Sequence, residues 1–336
     1  MHRFTKALAL VLAPILALTV AGCGSSDDNK SDASGKSTYT VMTAADPSRY
    51  LVYYALQHGL IKSDTVKLDV KFLPFAAAQQ ASGSRQYDIV EINPMTQVLQ
   101  NESGVNSKIL ANGLSDSGSA RIFVKKDSPI TSVDQLKGKR VGAVSLPTSF
   151  MLAARYLMQK EFGLDAPLEG GNVKFSGIAS PASLLSALKA GSLDAVITTL
   201  ADTYTAQNDS DLRELYNVYN PDSGLSKYLP GPPVATVLNM YTGPDSVDPK
   251  DIPEIQRIFK EATEYYEANK DKVVADLAKE YDVPEDLVKF EAEYLTLSPS
   301  PVTEEQKSWV DGFLKIAVEM KMMKDAPDDV NTLYAD

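Results

Sequence analysis

Apolar and polar residues alternate with a period of two over residues 66–73 (VKLDVKFL), which puts one face of a strand in a core and the other toward solvent. Similar runs predict strands at 39–42, 87–92, 108–114, 139–144, 173–178, 193–198 and 234–241. Between them the spacing changes to that of helices. Asp46-Pro47 opens one through His58, with Asp as N-cap and Pro first, and Asn93-Pro94 starts another. Further helices are expected at 76–82, 150–161 and 181–190, with a short one at 130–138. Beyond residue 249 the pattern is helical throughout. Ile252, Ile255, Ile258, Phe259, Ala262 and Tyr266 mark one inward face, and Val273, Val274, Leu277, Ala278 and Tyr281 mark a second. Thr303-Glu304-Glu305-Gln306 has the form of a capping box for a last helix that turns Trp309, Phe313, Leu314 and Ala317 inward.

Strands that alternate with helices at this spacing predict parallel, helix-covered sheets. The plan occurs twice, with a second unit beginning near Lys125 and a Pro- and Gly-rich loop at 220–233, but no short internal repeat links the two units.

Ahead of the first strand the pattern is different. His2, Arg3 and Lys6 precede an apolar stretch from Ala7 to Val20, which is shorter than the ~20 residues of a spanning helix. It closes on Val20-Ala21-Gly22-Cys23, so residues 1–22 read as a secretory leader. Residues 23–37 then form an expected tether: GSSDDNKSDASGKS has no aliphatic side chain larger than alanine and buries too little to order itself. Its reach is roughly 20 Å as a flexible coil. The regular ligand spacing and closing Glu of a calcium loop are missing from it.

Composition narrows the function. Without the leader, 31 basic residues face 44 acidic ones, a formal charge of −13. So acidic a chain is a poor partner for nucleic acid or anionic lipid, whereas a small anion in a locally positive pocket stays possible. Cys23 is the only cysteine and His58 the only histidine after the leader, which removes thiol chemistry and internal disulfides and argues against histidine-based zinc sites. No metal or other cofactor is expected.

The Val-Ala-Gly-Cys ending resembles the lipobox of bacterial lipoproteins, which implies that Cys23 carries lipid. Four further stretches, YLVYYALQHGLIKSDTVKLDVK (50–71), YDIVEINP (87–94), FVKKDSPITSVDQLKGKRVG (123–142) and LKAGSLDAVITT (188–199), together resemble the solute-binding lipoproteins of ABC importers. The branch is that of the nitrate, alkanesulfonate, taurine and pyrimidine-precursor binders. The resemblance implies a type II periplasmic-binding-protein fold of class α/β, with two lobes, two hinge crossings and a ligand cleft between them. The crossings are expected near 123–126 and 234–237. Lobe one would then span 38–123 plus 238–336, and lobe two 124–237. The implied partners are a small-molecule solute, an ABC permease with its ATPase, and a membrane reached only through the lipid on Cys23. The expected state is an extracytoplasmic monomer.

Candidate ligand contacts lie where strands run into helices, because the first N–H groups of a helix are unpaired and favour oxyanions. In the first unit these are Asp46, Ser48, Arg49, Tyr50, Asn93, Ser115 and Ser117. In the second they are Ser145, Thr148, Ser149, Phe150, Thr199 and Asp202. Arg49 suits a carboxylate or sulfonate, since its fork binds them bidentately. Several of these residues also suit purely structural roles: Asp46, Thr148 or Ser149 as helix caps, Asn93 in an Asx turn. Sulfonate and taurine binders often carry a Thr-Trp-Glu-Pro-like run where this chain reads Thr198-Thr199-Leu200-Ala201-Asp202, so an amino group has a partner there only if Asp202 supplies it. The expected ligand is a small organic anion, a sulfonate or carboxylate. Acidic Asp46 and Asp202 leave open a neutral or cationic heterocycle such as a thiamine-type pyrimidine. A sensor that presents its ligand to a membrane receptor also stays open. No enzyme is expected, because the cysteine-rich motif and active histidine of the pyrimidine-precursor synthases are missing.

Overall fold

Helix and strand signals in the sequence are realised as two five-stranded sheets in a computed structural model, which describes residues 35–178, 180–243, 246–297 and 302–335. The leader, Cys23 and most of the expected tether lie outside the described residues. The first sheet uses β1 (Ser37–Ala44), β2 (Val66–Leu73), β3 (Ile89–Ile92) and β4 (Ser107–Asn112). Helices α1 (Pro47–Gln57), α2 (Phe75–Ala81) and α3 (Pro94–Glu102) alternate with them. A three-residue strand, β5 (Leu114–Asp116), follows.

The second sheet is built from β6 (Arg121–Lys125), β7 (Arg140–Ala143), β8 (Lys174–Gly177), β9 (Ala195–Thr198) and β10 (Leu212–Asn217). Helices α4 (Ser149–Lys160), α5 (Pro181–Lys189) and α6 (Leu200–Gln207) accompany it. Strand β11 (Val237–Tyr241) then returns to the first sheet. The chain continues through α7 (Ile252–Ala268), α8 (Lys270–Glu280), α9 (Glu285–Tyr294), β12 (Leu295–Leu297) and α10 (Glu304–Glu319).

The two sheets repeat one plan. Their orders are β2-β1-β3-β11-β4 and β8-β7-β9-β6-β10. In each, three parallel strands are followed by one that runs antiparallel to both neighbours. The sheets are therefore mixed and not wholly parallel as expected, because one strand in each comes from a chain passing between the sheets. Local apolar patterning carries no strand direction, so this was not readable. The passages themselves run from Asn112 to Arg121 and from Asn217 to Val237. The first lies a few residues earlier than expected, since Phe123 already sits inside β6.

Burial follows the predicted faces closely. All six residues expected inward on α7 are buried, as are Val273, Val274, Leu277 and Ala278 of α8. Thr303 and Gln306 make both bonds of the capping box, Gln306 N–H to Thr303 Oγ1 at 3.2 Å and Thr303 N–H to Gln306 Oε1 at 2.9 Å. Two expectations need correction. The strand expected over 108–114 is two, β4 and β5, broken at Gly113. The strand expected from 234 begins at Val237, with Val234 making only an isolated bridge to Ser115. The last helix also reaches the second unit, since Glu319 pairs with Lys160 of α4 at 2.6 Å.

Candidate solute-binding site

The first turn of α1 places a cation among carboxylates. Asp46 caps the helix by accepting the Arg49 N–H at 3.1 Å, and Ser48 Oγ donates to Asp46 while accepting from Arg49 Nη1 at 2.8 Å. Arg49 Nη1 also lies 3.5 Å from Asp46 Oδ2, and its Nε 3.2 Å from Glu91 Oε1 at the end of β3. That Nε is close enough for an ion pair but is not aligned for a hydrogen bond. Burial alone pushes the guanidinium pKa down, but the charges of Asp46, Glu91 and Asp116 outweigh it and push the pKa up. The arginine stays charged and held.

Two more acids complete the cluster. Asp116, in β5, accepts the N–H groups of Gly118 and Ser119, both at 2.9 Å, and the Ser119 hydroxyl. Burial raises its pKa in spite of those bonds and of Arg49. β5 pairs with β12 so that Asp116 faces Leu295, which brings the adjoining α9 alongside α1. There Glu291 is 1% exposed, and its Oε2 has no hydrogen-bond partner. Burial first, then Asp46 and Asp116, push its carboxyl up to about 9, against the pull of Arg49. Glu291 is therefore uncharged at neutral pH. From the second unit Tyr219, following β10, lies within reach of Asp116: burial and then the charge of Asp116 push its phenol up.

The remaining expected contacts are placed as follows. Tyr50 stacks on Tyr281 with centroids 3.8 Å apart and meets Phe72 edge-on at 5.0 Å, a half-buried aromatic wall beside Arg49. Asn93 caps α3, and Thr96 occupies both ends of its amide: Thr96 N–H to Oδ1 at 2.9 Å, Nδ2 to Thr96 Oγ1 at 2.8 Å. Ser115 Oγ donates to the Pro233 carbonyl, and Ser117 Oγ to Tyr294 O at 3.1 Å, so both join chain segments. Thr148 caps α4, accepting Met151 N–H at 3.4 Å and donating to Ser145 O at 3.3 Å. Ser149 is buried at the helix start, and Phe150 is half-buried against the large core cluster. Thr199 donates its hydroxyl and N–H to Asp202 Oδ2 at 2.8 and 3.3 Å, while Asp202 Oδ1 is buried without a partner. Burial raises the Asp202 pKa against those bonds.

The structure thus gathers Asp46, Ser48 and Arg49 with Glu91, Asp116, Glu291 and Tyr219, four residues that the sequence reading missed. Glu91 had a signal, a charge inside the apolar strand run IVEI. His58 lies away from this group, paired with Glu280 at 3.0 Å at the end of α1. Among the described residues no acid, histidine or cysteine cluster is arranged to hold a metal ion, and no helix is long and apolar enough to cross a membrane.

A family model described as "ABC transporter, phosphonate, periplasmic substrate-binding protein" matches residues 39–278. The chain belongs to this family. It is a periplasmic substrate-binding protein of an ABC transporter, with the type II periplasmic-binding-protein fold. Solved structures similar to it include the periplasmic aliphatic sulphonate binding protein SsuA of Escherichia coli, with TM-score 0.67, 14% identity, and coverage of 89% of this chain and 92% of that one. The alkanesulfonate-binding SsuA of Xanthomonas axonopodis pv. citri, bound to MOPS, gives TM-score 0.62 and 14% identity over 85% of this chain and 93% of that one. The Candida albicans CA3427 gene product, described as having the generic periplasmic binding protein fold, gives TM-score 0.67 and 11% identity over 88% and 94%. No curated protein matches the sequence.

Proposed function

We propose that this substrate-binding protein captures a small organic oxoacid (a phosphonate, sulfonate or carboxylate) that also carries a cationic nitrogen. The observation that carries the reading is the imbalance around Arg49: one guanidinium against Asp46, Glu91 and Asp116, with the uncharged Glu291 beside them. Clustered acids short of a counter-charge are costly to bury, and a cationic group on the solute supplies what is missing. The oxyanion end suits Arg49 and the unpaired N–H groups where α4 begins. The family's phosphonate description and the sulfonates named for its structural neighbours support that half. The two sheets serve as the cores of two lobes that close on the solute, with the passages at 113–120 and 218–236 as hinges. Lipid on Cys23 holds the receptor at the outer face of the membrane, from which it hands solute to the permease and its ATPase. A purely anionic solute is the second reading, favoured by Arg49 alone. Calorimetric titration with matched pairs separates the two: 2-aminoethylphosphonate against ethylphosphonate, and 2-aminoethanesulfonate against ethanesulfonate. At least tenfold tighter binding of the amine-bearing member is expected, and equal binding within each pair sinks the cationic part.

A further inference from the structure

Glu91 sits at a junction that the solute site alone does not require. Its side chain is 2% exposed, and three hydroxyl donors and one guanidinium converge on it from three directions. Oε2 accepts Thr43 Oγ1 of β1 at 2.6 Å and Tyr53 Oη of α1 at 3.1 Å. Oε1 accepts Thr236 Oγ1 at 2.8 Å and lies 3.2 Å from Arg49 Nε. All three hydrogen-bond partners are donors and the fourth neighbour is a cation, so a carboxylate, which only accepts and carries negative charge, suits all of them.

Thr236 is the last residue before β11, on the return passage between the sheets. While donating to Glu91, its hydroxyl accepts the Leu114 N–H at 3.2 Å, and its carbonyl accepts the Gly113 N–H at 2.9 Å. Leu114 and Gly113 belong to the outward passage. One hydroxyl therefore joins both passages to Glu91. The approach is close enough to demand glycine at 113, where a Cβ would stand 2.4 Å from Thr236 Oγ1.

We propose that Glu91 is a positioning residue that links Arg49 to the two passages, so that occupation of Arg49 is felt at the hinge. In the free protein Oε1 accepts the Thr236 hydroxyl and also forms the ion pair with Arg49. A solute that draws the guanidinium toward itself leaves Oε1 to Thr236 and tightens the junction. By thermodynamic linkage, a tighter junction favours capture in return. The inference rests on the two-lobe reading above and on Arg49 facing the solute.

The test needs no solute, so its failure and a failure of the solute assignment are read separately. Spin labels at Lys67→Cys and Lys174→Cys, exposed positions on β2 and β8, report the separation of the sheets in the full chain carrying Cys23→Ala. Pulsed dipolar spectroscopy should show a broader distance distribution for Thr236→Val, which keeps the side chain's volume, and the parent distribution for Thr236→Ser, which keeps the hydroxyl. Arg49→Lys should shift the parent distribution yet have no effect once Thr236→Val has cut the link, a non-additivity that distant sites do not show. Should Arg49→Lys fail to fold, Arg49→Gln takes its place. A parent-like Thr236→Val distribution, or independent contributions from the two positions, overturns the proposal.

Discussion

Arg49 Nε lies 3.2 Å from Glu91 Oε1, so a buried carboxylate holds in place the guanidinium that we propose for the solute site. A pre-placed guanidinium binds an oxyanion without the entropy of ordering a long side chain. Hydrogen bonds to charged groups contribute about 1.5–3 kcal/mol, so Arg49→Ala should weaken 2-aminoethylphosphonate binding by roughly ten- to a hundredfold in calorimetry. The same change leaves Glu91 buried without its cationic partner and should lower the unfolding midpoint. Unchanged affinity removes Arg49 from the site.

Glu291 gives the protein a pH dependence of defined sign. Its carboxyl moves from 4.5 to about 9 on folding, chiefly through burial. Below about 4.5 both states hold the proton, and between that value and about 9 only the folded state does. Stability is therefore lost as pH rises through this window. Glu291→Gln removes the titration, so its melting temperature should fall less than the parent's between pH 5 and pH 9. Parallel melting curves for the two proteins across that range contradict the assignment.

Asn93 was expected to face either the cleft or its own helix, and the structure commits both ends of its amide to Thr96. Asn93→Ala should cost about 1 kcal/mol of stability, the usual worth of an N-cap, as read by urea unfolding. Solute affinity should stay within twofold, and a large loss would return Asn93 to the site.

Gly113 is needed for close approach and not for an unusual backbone angle. A Cβ there meets Thr236 Oγ1 at 2.4 Å and the Thr236 carbonyl at 3.2 Å. Gly113→Ala should destabilise by about 1–3 kcal/mol in urea, the range for forcing extra atoms into a packed site. Gly138→Ala has no neighbour within 4 Å and serves as the comparison: there only its φ of +78° is at stake.

What the chain disclosed follows from how local each feature is. The face of α7, the caps Asp46 and Asn93, and the Thr303 capping box depend on residues within a turn or two, and all were legible. The antiparallel insertion of β6 and β11 depends on which passage feeds which sheet, and a two-residue alternation carries no direction. The break between β4 and β5 falls at Gly113, which Thr236, 123 residues away in sequence, approaches too closely for a Cβ to fit. The site divides in the same way. Arg49 was readable from its place at a helix start, while Glu91 was missed although its intrusion into an apolar strand was a signal. Asp116 stands between Ser115 and Ser117 in a loop expected to meet the ligand, yet the serines drew the attention and not the acid, and Glu291, in the run EAEY, looked like any surface glutamate until α9 was laid against α1.

Small-angle X-ray scattering of the full chain, with and without saturating 2-aminoethylphosphonate, addresses the central claim most directly. Closure of two lobes on a solute held at Arg49 predicts a smaller radius of gyration in the bound parent, and no such contraction in Arg49→Ala at the same solute concentration. Binding that leaves the parent's scattering curve unchanged, or that contracts both proteins equally, would contradict it.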